Sequence, residues 1–166
     1  MTFTVEPTSP TTEPPWRQPS QQIRITELID HRVNHPVEPD SCYARRYWIP
    51  VIGPTAWCVG QRLADELAAT HGEVLYDVVE LGRSFGLRGR TGRNARIVAT
   101  LRRLEQFGLA RWEHSALHLR RRWPLLSSGL VAQLPLSLQE DHALGRHPID
   151  QTPEPLGEVR PGVWST

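Results

Sequence analysis

The chain has 166 residues, long enough for one domain with tails and too short for two domains of ordinary size. No basic stretch followed by an apolar run opens it, and no apolar run approaches the roughly 20 residues that span a bilayer, so a membrane protein is excluded and a cytoplasmic one expected. The formal net charge of +1 hides two regions of opposite sign: Arg83 to Trp123 holds eleven arginines against Glu105 and Glu113, a net of +9, and the remainder balances at −8.

All nineteen basic residues are arginine. Codon bias toward GC explains arginine in place of lysine without any selection for bidentate contacts. It does not explain eleven of nineteen within a quarter of the chain. That density is the kind found where a protein meets a polyanion.

In chain order, Pro7, Pro10, Pro14, Pro15 and Pro19 crowd the first twenty residues, and Pro148, Pro153, Pro155 and Pro161 the last nineteen. Residues 1–20 and 145–166 lack periodic apolar positions that could offset their ordering entropy, and are expected to be disordered tails. Between Gln21 and Asn34, the apolar residues Ile23, Ile25, Leu28, Ile29 and Val33 fit either a short strand or a short helix. Arg45 to Trp48 leads into an apolar approach, IPVIGP, that Gly53 and Pro54 end. Proline suits a first helical turn, so a helix is predicted from about Pro54 to Ala69, burying Trp57, Leu63 and Leu67 and stopped by His71 and Gly72. Cys42 and Cys58 are expected as free thiols, Cys58 buried on that helix. His31 and His35 have a metal-gripping spacing, but Pro36 follows at once and no CxxC accompanies them, so no metal site is expected.

Val74 to Tyr76 is a short β-prone piece. Asp77 with Glu80 three residues on forms a capping-box pattern for a two-turn helix that holds Val78, Val79, Leu81, Gly82 and Phe85 and ends at Gly86. LRGRTGRN reads as a turn, and Asn94 or Thr91 as the cap of a third helix, about Ala95 to Phe107, with Ile97, Leu101 and Leu104 inward and Gly108 as its stop. Leu109 to Glu113 and Ala116 to Arg122 alternate as two strands about His114 and Ser115, with Leu117 and Leu119 on one face and His118 and Arg120 on the other. Beyond Trp123, Leu126, Leu130, Val131, Leu134 and Leu138 suggest two short helices capped by Ser127 and Ser137 with Pro135 between, completing the core or forming a dimer seam.

The order helix, short strand, two-turn helix, tight turn, helix, hairpin resembles the winged helix-turn-helix family, over Pro54 to Arg122. DVVELGRSFGL resembles the first helix of the motif, with Leu81, Phe85 and Leu87 at packing positions, and NARIVATLRRLEQFGLARW a recognition helix with the first wing strand. Leu104, Gly108 and Leu109 match the leucine, spacer and GL that close recognition helices in such families. IGPTAW loosely resembles the opening helix of replication-initiator winged domains. The turn LRGRTGRN departs from the family in being longer and richer in glycine. The fold this implies is mainly α with a small β-hairpin wing: a winged helix-turn-helix with a C-terminal helical appendage over residues 41–144, between disordered tails.

The function the resemblance implies is binding of double-stranded DNA, as a transcriptional regulator and with a homodimer as one assembly. A helix fits the major groove, and arginine can donate twice to guanine. Arg93, Asn94 and Arg96 stand best for base contact, Asn94 alternatively reading adenine. Arg88 and Arg90 lie in a glycine-rich turn that lets backbone approach phosphate, Arg103 lies on the outer helix face, and Arg120, Arg121 and Arg122 suit phosphate or minor-groove contact from the wing. The competing reading is a winged-helix interaction module that docks an acidic partner in transcription or replication machinery. No catalytic constellation or cofactor is expected: no Ser/His/Asp or Cys/His set stands in a motif, and no GK[ST] follows the glycine-rich run.

Overall fold

A computed structural model describes residues 22–29, 35–87, 95–114 and 116–145. The expected tails, apart from Gly145, lie outside these residues, as do His31, Thr91 and the turn residues Arg88, Arg90, Arg93 and Asn94.

The first element decides between strand and helix. β1 (Gln22–Glu27) is a strand in which Ile23 and Ile25 are buried while Gln22 and Arg24 face solvent, an alternation of period two that a helix could not use. Next comes a helical stretch where the sequence suggests only an apolar approach: a π-helical turn, Ala44–Trp48, continues as α1 (Ile49–Ile52). Pro50 explains both the turn and the oversight. Proline offers no N–H, and its ring collides with the carbonyl four residues back in a regular helix, a conflict that widening the preceding turn relieves. The turn buries Ala44, Tyr47 and Trp48.

Gly53 turns the corner at φ +81° and α2 (Pro54–Ala69) follows, with proline in its first turn. Its buried face is Ala56, Val59, Gly60, Leu63, Ala64 and Leu67, so small residues line much of the stripe. Trp57, expected inside, is half-buried and donates its indole N–H to Pro39 O at 2.9 Å. Cys58, also expected inside, is exposed: it stands off the stripe, and both cysteines are free.

β2 (Glu73–Asp77) leads into α3 (Val78–Ser84), where the Asp77 carboxylate accepts from the backbone N–H groups of Val79 and Glu80 at 2.8 and 3.0 Å, the predicted N-cap. Glu80 does not complete a capping box; its carboxylate takes Arg83 at 2.6 Å. α4 (Arg96–Gln106) closes at Gly108, φ +71°, and the hairpin β3 (Ala110–Glu113) and β4 (Ala116–Leu119) follows. α5 (Ser128–Val131) and α6 (Leu136–Ala143) complete the described chain. Ser127 holds the N-cap position of α5 without a side-chain bond, and Pro135 rather than Ser137 precedes α6.

The expected small hairpin is a correction, because the sheet has four strands in the order β2-β1-β4-β3 and the fold is mixed α/β. β1 pairs antiparallel with β2, Ile25 opposite Val74, and parallel with β4, Ile25 opposite Leu117. Residues 41–144 therefore omit an interior strand. Ile23, Ile25, Leu117 and Leu119 present one apolar face to α2, and each of them is at most 2% exposed. The segment after β4 returns across the core: Trp123 pairs backbone with Val37, and its ring meets Trp48 edge-on at 5.8 Å beside Gly60. Leu126 and Leu134 are buried and Leu130, Val131 and Leu138 packed against the core, so the C-terminal helices serve the core. Tyr43 ties them down, its hydroxyl accepting from Leu126 N at 2.9 Å and bonding His142 Nε2 at 3.0 Å.

Candidate functional site

α4 divides cleanly into two faces. Ile97, Val98, Leu101 and Leu104 are buried, whereas Arg96, Ala99, Arg103 and Gln106 are exposed and Arg102 is half-buried on the other side. Thr100 is buried at the border and turns its hydroxyl back to Arg96 O at 2.8 Å. At 11 residues the helix is about 16 Å long.

The electrostatics of its N-terminus run against the usual preference. A helix start carries partial positive charge and favours acids, yet the first turn of α4 has none and begins with exposed Arg96. Ala95 occupies the N-cap and has no side-chain group to bond the first amides; the expected caps, Asn94 and Thr91, lie outside the described residues. Arg88, Arg90 and Arg93 precede this point in the chain. Cationic side chains at a cationic helix end are destabilising on their own, by about 0.3–1 kcal/mol each. They are favourable once an anion sits there.

The remaining sequence-predicted arginines are engaged within the protein. Arg103 donates from Nε to Ile52 O at 2.6 Å and from Nη2 to Val51 O at 2.9 Å, bracing the end of α1 against α4, and its guanidinium stands 5.4 Å from the Phe107 ring centre. Arg120 donates to Gly108 O at 2.7 Å, beyond the end of β4 rather than on a wing strand. Arg121 pairs with Glu27 at 3.6 Å and Arg122 with Glu38 at 2.6 Å. Of the other cluster members, Arg83 pairs with Glu80 and Arg111 with Glu113 at 2.5 Å. Carboxylates offset Arg83, Arg111, Arg121 and Arg122 locally, whereas Arg103 bonds to backbone carbonyls. The density seen in the sequence is thus partly offset by carboxylates within the fold.

Between α4 and the α1–α2 corner lies an open cleft of about 480 Å³, lined by Gly53, Pro54, Thr55, Ala99, Thr100 and Arg102 among others. Arg102 is not among the site residues that the sequence suggests. Its helical spacing from Ala99 and Gln106, three and four residues away, is the signal that groups them. Acids gather elsewhere: the carboxyl of Asp65 is pushed above its ordinary range by burial first and then by the carboxylates of Asp40, Glu38 and Glu66. Among the described residues no group of His, Cys, Asp and Glu could hold a metal ion, and no helix is long and apolar enough to cross a membrane.

Comparison with protein-family models, curated proteins and solved structures gave no match. The functional reading therefore rests on the residues alone.

Proposed function

We propose that the chain binds double-stranded DNA through the exposed face of α4, in the manner of a winged helix-turn-helix regulator of transcription. The observation that carries this is Arg96, an exposed cation without an ion pair among the described residues, at the start of an amphipathic helix whose first turn lacks any acid. Such a placement costs stability in the free protein and is recovered against phosphate or base edges.

The sequence of elements α2, β2, α3, α4, β3, β4 supports the same reading, and α3 followed by α4 supplies the helix pair. One departure changes the roles. In this chain β1 stands between β2 and β4, which braces the hairpin within a sheet and leaves Arg120, Arg121 and Arg122 beyond the strands. Base contact then falls to Arg96 with Arg93 and Asn94, and phosphate contact to Arg88, Arg90 and Arg102. Arg103 acts as a brace.

The test is fluorescence anisotropy on duplexes enriched from a random pool and on scrambled controls. Arg96→Ala is expected to erase about 1–3 kcal/mol of the difference between the two, while Arg102→Ala weakens both alike. A wild-type protein that ignores every duplex removes this reading and leaves an acidic protein surface as the partner of the same face.

A further inference from the structure

Two arginines that suit phosphate contact are each held by a carboxylate from the N-terminal part of the fold. Glu27 closes β1 and takes Arg121; Glu38 precedes the π-helical turn and takes Arg122. Neither pair is buried, with side chains 44% and 30% exposed in the first and 53% and 53% in the second. Both pairs bridge positions far apart in the chain, so β1 and the loop after it must be in place for either to form. Neither backbone is loose there: Leu28 N donates to Leu119 O at 2.8 Å, and Val37 and Trp123 exchange two bonds of 2.8 Å. The carboxylates are thus carried to the arginines by the fold rather than by chance contact of flexible side chains.

We infer that Glu27 and Glu38 act as internal substitutes for phosphate, occupying Arg121 and Arg122 in the free protein and restraining the affinity of the basic surface for a polyanion. The inference rests on the DNA-binding reading and adds regulation to it. A carboxylate and a phosphate offer guanidinium the same planar pair of acceptors, so they compete for one partner. Exposed pairs are weak enough to exchange: each is worth at most about a fivefold change in an equilibrium. The duplex gains two phosphate contacts only by displacing both acids. Glu38 also belongs to the acidic neighbourhood of Asp40 and Asp65, which strengthens the hold on Arg122 and repels an approaching backbone.

The experiment is a double-mutant cycle on the full chain, read by anisotropy with a random-sequence duplex. Glu27→Gln with Glu38→Gln keeps side-chain shape and removes the competition; Arg121→Ala with Arg122→Ala removes its object. Glu73→Gln, whose partner Arg24 lies outside the arginine cluster, controls for the change in net charge. The glutamine pair is expected to bind about three- to twentyfold more tightly than wild type, with a salt dependence steeper by up to two contacts. In free energy that gain should exceed twice the effect of Glu73→Gln, since the glutamine pair removes two charges and the control one, and vanish in the alanine background. Circular dichroism of each variant confirms the fold, and Glu38→Gln alone serves if the double change disturbs it. A gain that persists without the arginines reduces the effect to net charge and overturns the inference while leaving DNA binding intact. Unchanged or weaker binding by the glutamine variants overturns it equally. If wild type and both glutamine variants all fail to bind duplex, the DNA-binding reading falls and the inference with it.

Discussion

Replacing Gly60 by alanine should destabilise this protein, against the ordinary rule for helix interiors. Gly60 lies mid-way along α2, where exchanging glycine for alanine usually gains about 0.5–1 kcal/mol through backbone entropy. Here an added Cβ would stand 2.9 Å from Trp123 Cζ2 and 3.2 Å from Leu104 Cδ2. Trp123 cannot easily yield, since it is fully buried, packed edge-on against Trp48 and fixed by backbone bonds to Val37. Overpacking of a rigid core costs roughly 1–3 kcal/mol, so the balance is a loss of about 1 kcal/mol or somewhat more, several degrees in Tm for a domain of this size. Chemical denaturation of Gly60→Ala measures it. Trp123→Phe lowers stability on its own by leaving a void, but in that background the alanine should become neutral or favourable, a coupling above about 0.5 kcal/mol. A midpoint for Gly60→Ala equal to or above wild type, or strict additivity with Trp123→Phe, would refute the packing argument.

Three further outcomes are expected. Leu101→Ala, at a fully buried position on the inward face of α4, should cost about 2–5 kcal/mol in denaturation, and an unresolved change in midpoint would mean that the face is assigned wrongly. A fragment of residues 41–144 should fail to give a native circular dichroism spectrum and cooperative melt, because it lacks β1 and so leaves β2 without a neighbour, β4 paired with β3 alone and the places of Ile23 and Ile25 empty; an intact fold would show that β1 is dispensable. The proton affinity of Asp65 is raised in the folded state above the ordinary value of 3.8, so stability is lost as pH rises from that value through the folded one. Asp65→Asn should therefore raise the denaturation midpoint at pH 7 and leave it unchanged at pH 3, and equal effects at both would exclude the electrostatic cause.

Local chemistry was the legible part of this chain. Pro54 with a periodic apolar face marked α2 to the residue, Asp77 announced the cap of α3, and Gly86 and Gly108 marked the ends of α3 and α4 in left-handed conformations. What escaped was pairing at a distance. Nothing within QIRITE states that it lies between β2 and β4, since the parallel register with β4 depends on contacts about ninety residues away in the chain. The stripe of Ala56, Gly60 and Ala64 was passed over for the same kind of reason: small residues give little hydropathic signal, yet they let Trp123 approach α2. Pro50 concealed a helix because its local preference argues against one. In the candidate site, the clustering of arginine was visible at once, but not the division of labour. Arg103 is indistinguishable in sequence from Arg102, and only the fold brings the carbonyls of Val51 and Ile52 to it. Glu27 and Glu38, which offset Arg121 and Arg122, lie far from them in the chain.

The central claim is that the arginines at α4 meet a polyanionic backbone, and the salt dependence of duplex binding tests it most directly. Affinity of the full chain for a random duplex is measured over a series of salt concentrations. About three phosphate contacts, from Arg88, Arg90 and Arg102, give a slope of log affinity against log salt of roughly −3, falling in magnitude by about one in Arg102→Ala. A slope indistinguishable from zero, or no binding at the lowest salt, would contradict the claim.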